Sequence, residues 1–70
     1  MDKKTRKAVL NYMRTVAAEH VELHTGEVNS TLLAEDAAYH FEHPEWLDTS
    51  EHEVWDLSVD VAEEYEAEQG

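Results

Sequence analysis

The sequence predicts an all-α fold: a three-helix bundle-like domain with a long first helix, two shorter helices and a proline-containing connection. Three observations carry this expectation. Apolar residues recur at the spacing of one helix face in three separate stretches. Caps and breakers punctuate the chain between them, at Asp2, Thr25-Gly26, Asn29-Ser30 and His43-Pro44. No segment shows strand alternation, and no internal repeat or low-complexity linker interrupts the pattern. With 70 residues, the chain is one domain spanning 1–70.

The first helix is expected over residues 3–24. Asp2 is a good N-cap whose charge suits the positive end of the helix dipole. Val9, Leu10, Met13, Val16, Ala17, His20 and Val21 mark its buried stripe, and Gly26 is the residue type that follows a helix C-terminus. The second helix starts at Asn29 or Ser30 and runs through Leu32, Leu33, Ala34, Ala37, Ala38 and Phe41, with Glu35 and Asp36 on its outer face. Pro44 restricts His43 and cannot continue a helix, so the break falls there. Residues 44–47 form a single turn, with Trp46 plugging one end of the core.

In the third helix, Ser50-Glu51-His52-Glu53 reads as a capping box. Val54, Leu57, Ser58, Val61, Ala62 and Tyr65 form its apolar stripe, widened sideways by Trp55 and Val59. Asp56, Asp60 and Glu64 stack at spacing four on the opposite face, where like-charge pairs each cost a few tenths of a kcal/mol (about 0.2–0.5) in dilute buffer. Residues 66–70 are expected to be disordered.

The charges are sorted along the chain. All five basic residues (Lys3, Lys4, Arg6, Lys7, Arg14) precede Thr15, and from there to Gly70 sixteen acidic residues meet no Lys or Arg. The formal net charge is −12. So acidic a surface repels nucleic acid and anionic membrane and suits either a basic partner or very salty water. The basic residues sit where the helix dipole disfavours them, which leaves a solvated end or a placement for contact. Val and Ala dominate the aliphatics, Ile is absent and Lys is scarce, the pattern of proteins from hosts with molar internal salt. At 1 M salt the Debye length is about 3 Å, so neighbouring carboxylates barely repel. No apolar run exceeds three residues and no targeting signal is present, so a cytoplasmic protein is expected. With no Cys, neither a disulfide nor a thiolate metal site supplements the small core, and self-association is the remaining common route to buried area.

Chemistry-bearing patterns are sparse. His20 and His24 share i, i+4 spacing and His40 and His43 lie three apart, but either pair is two ligands short of a tetrahedral zinc site. His20-Val21-Glu22-Leu23-His24 places Glu centrally rather than beside the first His, unlike the zincin order. His20 and His24 stand as weak metal candidates, His20 on the buried stripe being read first as a packed, hydrogen-bonded imidazole; no metal and no cofactor is assigned. No nucleophile elbow or phosphate-cradling glycine loop occurs. The chain is read as not an enzyme.

Residues 27–38, Glu27-Val28-Asn29-Ser30-Thr31-Leu32-Leu33-Ala34-Glu35-Asp36-Ala37-Ala38, resemble the first helix of helix-turn-helix DNA-binding domains. The remainder departs from that family: the link to the third helix is about eight residues and includes Pro44, against a usual three or four. The helix that would enter the groove carries eight acids from Glu51 to Glu68 and no cation. Lys3, Lys4, Arg6 and Lys7 would give only salt-labile attachment. Nucleic acid is therefore not the expected partner. The same dozen residues, followed by Trp46-Leu47-Asp48 and Val61-Ala62-Glu63-Glu64-Tyr65-Glu66, are similar to small acidic helical proteins of halophilic archaea. The resemblance covers residues 25–66, implies a salt-adapted helical domain and transfers no catalytic or binding residue.

The expectation is a small salt-adapted protein-interaction module that self-associates as a homodimer. Its contact would involve Trp55, Val59 and Ala62, with Tyr12 or Tyr39 as alternatives. The alternative is an acidic regulator (a DNA mimic, antirepressor or antitoxin-like cap) of a basic protein. Asp56, Asp60 and Glu64, together with Glu53 and Glu63, would then stand in for phosphates.

Overall fold

In the computed structural model, which describes residues 1–69, Asp2 opens helix α1 (Lys3–Val16) by accepting the Thr5 amide at 2.7 Å. Val9 and Met13, one turn apart, are buried on its inner face. The helix stops well short of residue 24. Ala17–His20 tighten into a 3₁₀ turn, and Val21 is extended. The reason is tertiary. Val21 pairs with Val28 in an isolated antiparallel bridge, and the Asn29 amide donates to the His20 carbonyl at 2.8 Å. Gly26, at φ +73°, serves the reversal between them rather than a helix end. This small hairpin brings Val28 into the core.

Asn29 caps α2 (Ser30–His40), its side chain accepting from the Leu32 amide at 3.1 Å. Leu33, Ala34, Ala37 and Ala38 are buried. Pro44 does not end this helix. The Glu42 amide donates to the Tyr39 carbonyl and the His43 amide to the Ala38 carbonyl, with Glu42 left-handed at φ 60°. That is the Schellman arrangement, with glutamate where glycine is usual. Pro44–Leu47 then form the expected single turn, a 3₁₀ turn, and Trp46 is 7% exposed at the end of the core.

Helix α3 (Glu53–Gln69) starts three residues beyond Ser50, so the capping box does not form. Thr49 Oγ1 instead accepts the Glu51 amide, and the His52 ring accepts the Val54 amide. Glu53, expected to reach back to the cap, turns to Arg6 and the Met1 amine. Residues 66–69, expected to be disordered, are helical, and the Glu66 carboxylate accepts the Val28 amide at 3.0 Å. Gly70 lies outside the described residues. Val54, Leu57, Ser58, Val61 and Ala62 face inward, and Ser58 satisfies its hydroxyl on the Trp55 carbonyl at 2.8 Å.

The contacts set the topology. Glu66 near the end of α3 meets Val28 just before α2, and His52 just before α3 stacks on Trp46 just after α2, so the two helices are antiparallel. Arg6 meets Glu53 and Arg14 meets Glu64, which lays α1 parallel to α3. The accessible surface is 4714 Å², close to the roughly 4,500 Å² that mass scaling gives for a monomer of this size. No described helix is long and apolar enough to cross a membrane.

Candidate functional site

Two polar constellations and one surface stand out. The first joins all the early elements at Asp36. Tyr12 on α1 donates its hydroxyl to Asp36 Oδ1 at 2.6 Å, and His20 Nε2 on the 3₁₀ turn meets Oδ2 at 2.8 Å. His40, one turn along α2, stacks on the Tyr12 ring with centroids 3.9 Å apart, and Phe41 meets both rings edge-on. Burial pushes the Asp36 carboxyl up, but the bonds from Tyr12 and His20, with the nearby His20 and His40, outweigh it and hold it below its ordinary value. The hydrogen bond to Asp36, with burial and the carboxylate charge, pushes the Tyr12 phenol up to about 12. Asp36 thus faces a neighbouring helix, not the outer surface the sequence suggested. The network joins three elements, and both Asp36 oxygens are engaged within it.

The second constellation surrounds Trp46. His43 and His52 both stack on the indole, at 4.7 Å and 5.5 Å, and Glu45 holds His43 Nδ1 at 2.7 Å. That bond, the larger effect, keeps the Glu45 carboxyl low.

The surface is the outward side of α3. The two arginines cross-brace it. Arg14 forms a two-pronged pair with Glu64, at 3.0 and 3.2 Å, and Arg6 with the Met1 amine takes Glu53. The amine, then Arg6, holds the Glu53 carboxyl below its ordinary value against the effect of burial. Two of the basic residues are therefore placed for contact within the molecule. Lys3, Lys4 and Lys7 are exposed and make no ion pair among the described residues. Of the carboxylates expected to act together, Glu53 and Glu64 are already answered by these cations. Asp56, Asp60 and Glu63 remain exposed without an ion pair among the described residues. Asp56 and Glu63 lie beside Val59, which is 43% exposed, at helical offsets of −3 and +4, and Asp60 stands four residues from Asp56 and three from Glu63.

The structure divides the five interface candidates. Ala62 is buried at 5% exposure and is core. Trp55 is half-buried, its indole N–H tied to the Thr49 carbonyl at 2.9 Å. Tyr12 is committed to Asp36. Val59 and Tyr39 remain exposed, the latter at 63%. They lie on different helices and form no single stripe. The metal candidates separate too. His20 lies on the 3₁₀ turn against Asp36 and His24 in the exposed hairpin, so their helical spacing is not realised. Among the described residues no group of three or more His, Asp or Glu side chains is arranged to hold a metal ion. A surface depression of about 190 Å³ between Arg14, Val61, Glu64, Tyr65 and Glu68 is below the roughly 300 Å³ at which ligand pockets begin.

Sequence reasoning missed the Asp36 network and the histidine stacks on Trp46. The first joins residues far apart in sequence and the second depends on how the turn after α2 folds back on the start of α3; the available signal was only the abundance of His and aromatic residues in a short chain. Compared with known proteins, the chain matches no family model, no curated sequence and no solved structure.

Proposed function

We propose that this chain is a small, salt-adapted, cytoplasmic protein-interaction module, not an enzyme, whose working surface is the outer face of α3. Its ligand on this reading is a basic protein surface. The observation that carries the reading is the Asp56, Val59, Asp60 and Glu63 patch: three carboxylates without an ion pair among the described residues, beside an exposed apolar side chain, on a helix that Arg6 and Arg14 tie to α1. A rigid helix that keeps like charges at adjacent turns pays in dilute solution, and a cationic partner relieves that repulsion.

The probe is poly-L-lysine, titrated calorimetrically at about physiological ionic strength. The variant Asp56→Asn/Asp60→Asn/Glu63→Gln is compared with Glu27→Gln/Glu42→Gln/Asp48→Asn, which removes the same charge from exposed positions off α3. The α3 variant is expected to weaken binding about tenfold and the control less than about threefold, as the charge-pair couplings at interfaces allow. Equal losses would show only bulk charge and would defeat the reading.

Self-association is the second reading, favoured by the exposure of Val59, Tyr39 and Leu32. Two copies at −12 each repel in dilute buffer and approach readily only under strong screening. Sedimentation in molar KCl tests it: a dimer that Val59→Asp dissolves supports it, and a monomer at tens of micromolar removes it.

A further inference from the structure

The N-terminus of α3 is capped by an imidazole. His52 precedes Glu53, and its Nδ1 accepts the Val54 amide at 3.0 Å, the bond that a Ser, Asp or Asn oxygen makes at most helix starts. A ring nitrogen accepts only with its lone pair free, so this contact requires the neutral imidazole with its proton on Nε2. The same ring lies on Trp46 with planes 19° apart, and Trp46 closes the end of the core.

We infer that His52 is a proton-operated cap. Protonation of Nδ1 breaks the bond to Val54, frays the first turn of α3 and loosens the Trp46 plug. Protonation turns the acceptor into a donor, setting two N–H groups against each other across 3.0 Å. It also places a cation at the positive end of the helix dipole. The charged groups around the ring come from three elements. Glu51 and Glu53 flank it in sequence, with Glu53 occupied by the Met1 amine and Arg6 of α1. Glu45 acts on it from the proline turn and is itself held by His43. Glu53 and Glu45 thus already have cationic or hydrogen-bonding partners, which limits the compensation they offer an imidazolium, and Glu51 is exposed to water without an ion pair among the described residues.

The cap needs the neutral ring, so the stability it contributes is present while Nδ1 is unprotonated and is lost on acidification. The other paired histidines differ in kind: their ring nitrogens meet the Asp36 and Glu45 carboxylates rather than a backbone amide, so of these contacts only that of His52 needs an unprotonated nitrogen.

The test compares the wild-type chain with His52→Asn, whose amide oxygen caps at any pH, and His52→Ala, which caps at none. The readouts are the imidazole nitrogen NMR shifts of His52 and the hydrogen-exchange protection of the Val54 amide relative to Val61. Both are taken at about pH 7.5 and about pH 5.5, on either side of the imidazole range. The expected wild-type result is an unprotonated Nδ1 at the higher pH and a fall of about fivefold in relative protection at the lower, the loss of one cap. His52→Asn should change less than about twofold, and His52→Ala should sit at the low value throughout. If His52→Ala does not fold, the asparagine comparison and the nitrogen shifts decide alone. A His52→Asn protein that loses as much protection as the wild type, or a protonated Nδ1 at the higher pH, would overturn the inference.

Discussion

Replacing Asp36 with alanine deletes one carboxylate and strands two partners on two other elements. Tyr12 loses its acceptor at 2.6 Å and His20 its partner at 2.8 Å. A hydrogen bond to a charged group contributes about 1.5–3 kcal/mol. The Asp36 side chain is 31% exposed and that of His20 is 19% exposed, so water replaces part of each bond and about 1 kcal/mol apiece is the appropriate discount. The sum, about 2 kcal/mol, is a large share of the roughly 3.5–10 kcal/mol expected of a domain this size. It corresponds to a fall of about 14 °C in Tm at an unfolding entropy near 2.1 cal/mol/K per residue. Tyr12→Phe removes one of the two bonds and should cost about 1 kcal/mol. In the double variant that loss should vanish, leaving a coupling of about 1 kcal/mol. Asp36→Asn keeps an acceptor for Tyr12, and His20 can present its other tautomer to the amide, so its cost should be less than half that of alanine. The assay is urea unfolding followed by far-UV circular dichroism near neutral pH. The sign with pH follows from the lowered Asp36 pKa: the contribution is complete above the ordinary value of 3.8 and is lost as pH falls below it. The gap between wild type and Asp36→Ala should therefore close in acid. Additive losses for Tyr12→Phe and Asp36→Ala, or an alanine cost below about 0.5 kcal/mol, would refute the network as a structural junction.

At the alkaline end, tyrosinate absorbance should show one phase near pH 12 that Tyr12→Phe abolishes. Because folding raises that pKa from 10.0, the corresponding stability is present below it and is lost as pH climbs toward 12. Glu42 occupies the left-handed position of the α2 C-terminus and is exposed, so Glu42→Gly should raise stability by about 1 kcal/mol in the same urea assay. Gly26 presents the mirror case. At φ +73° an added Cβ meets nothing within 4 Å, so Gly26→Ala should cost about 1 kcal/mol through backbone strain alone, without disturbing the fold seen by circular dichroism.

The helices were legible where the signal is local. Asn29 caps α2 in the structure as its position before Leu32 and Leu33 suggested, and the α3 stripe from Val54 to Ala62 is buried as its spacing predicts. Trp46 plugs the core because Pro44 makes the turn that aims it there. Boundaries were less legible, since they depend on partners outside the helix itself. Residues 21–24 leave the helix because Val21 finds Val28, and residues 66–69 stay helical where Glu66 reaches Val28. The predicted capping box gave way to His52, whose ring is held against Trp46.

The charge surface shows the same division. Composition determined the net −12, and residue order the confinement of every Lys and Arg to the first fourteen residues. Only the parallel packing of α1 on α3 decided which carboxylates those cations answer, because Arg6 and Arg14 reach Glu53 and Glu64 across more than forty residues of chain. That choice leaves Asp56, Asp60 and Glu63, near Val59, without an ion pair among the described residues. Sequence spacing can place side chains on a face, since helix geometry is local. Whether a charge on that face is spent depends on which element packs beside it, and that is settled by tertiary structure.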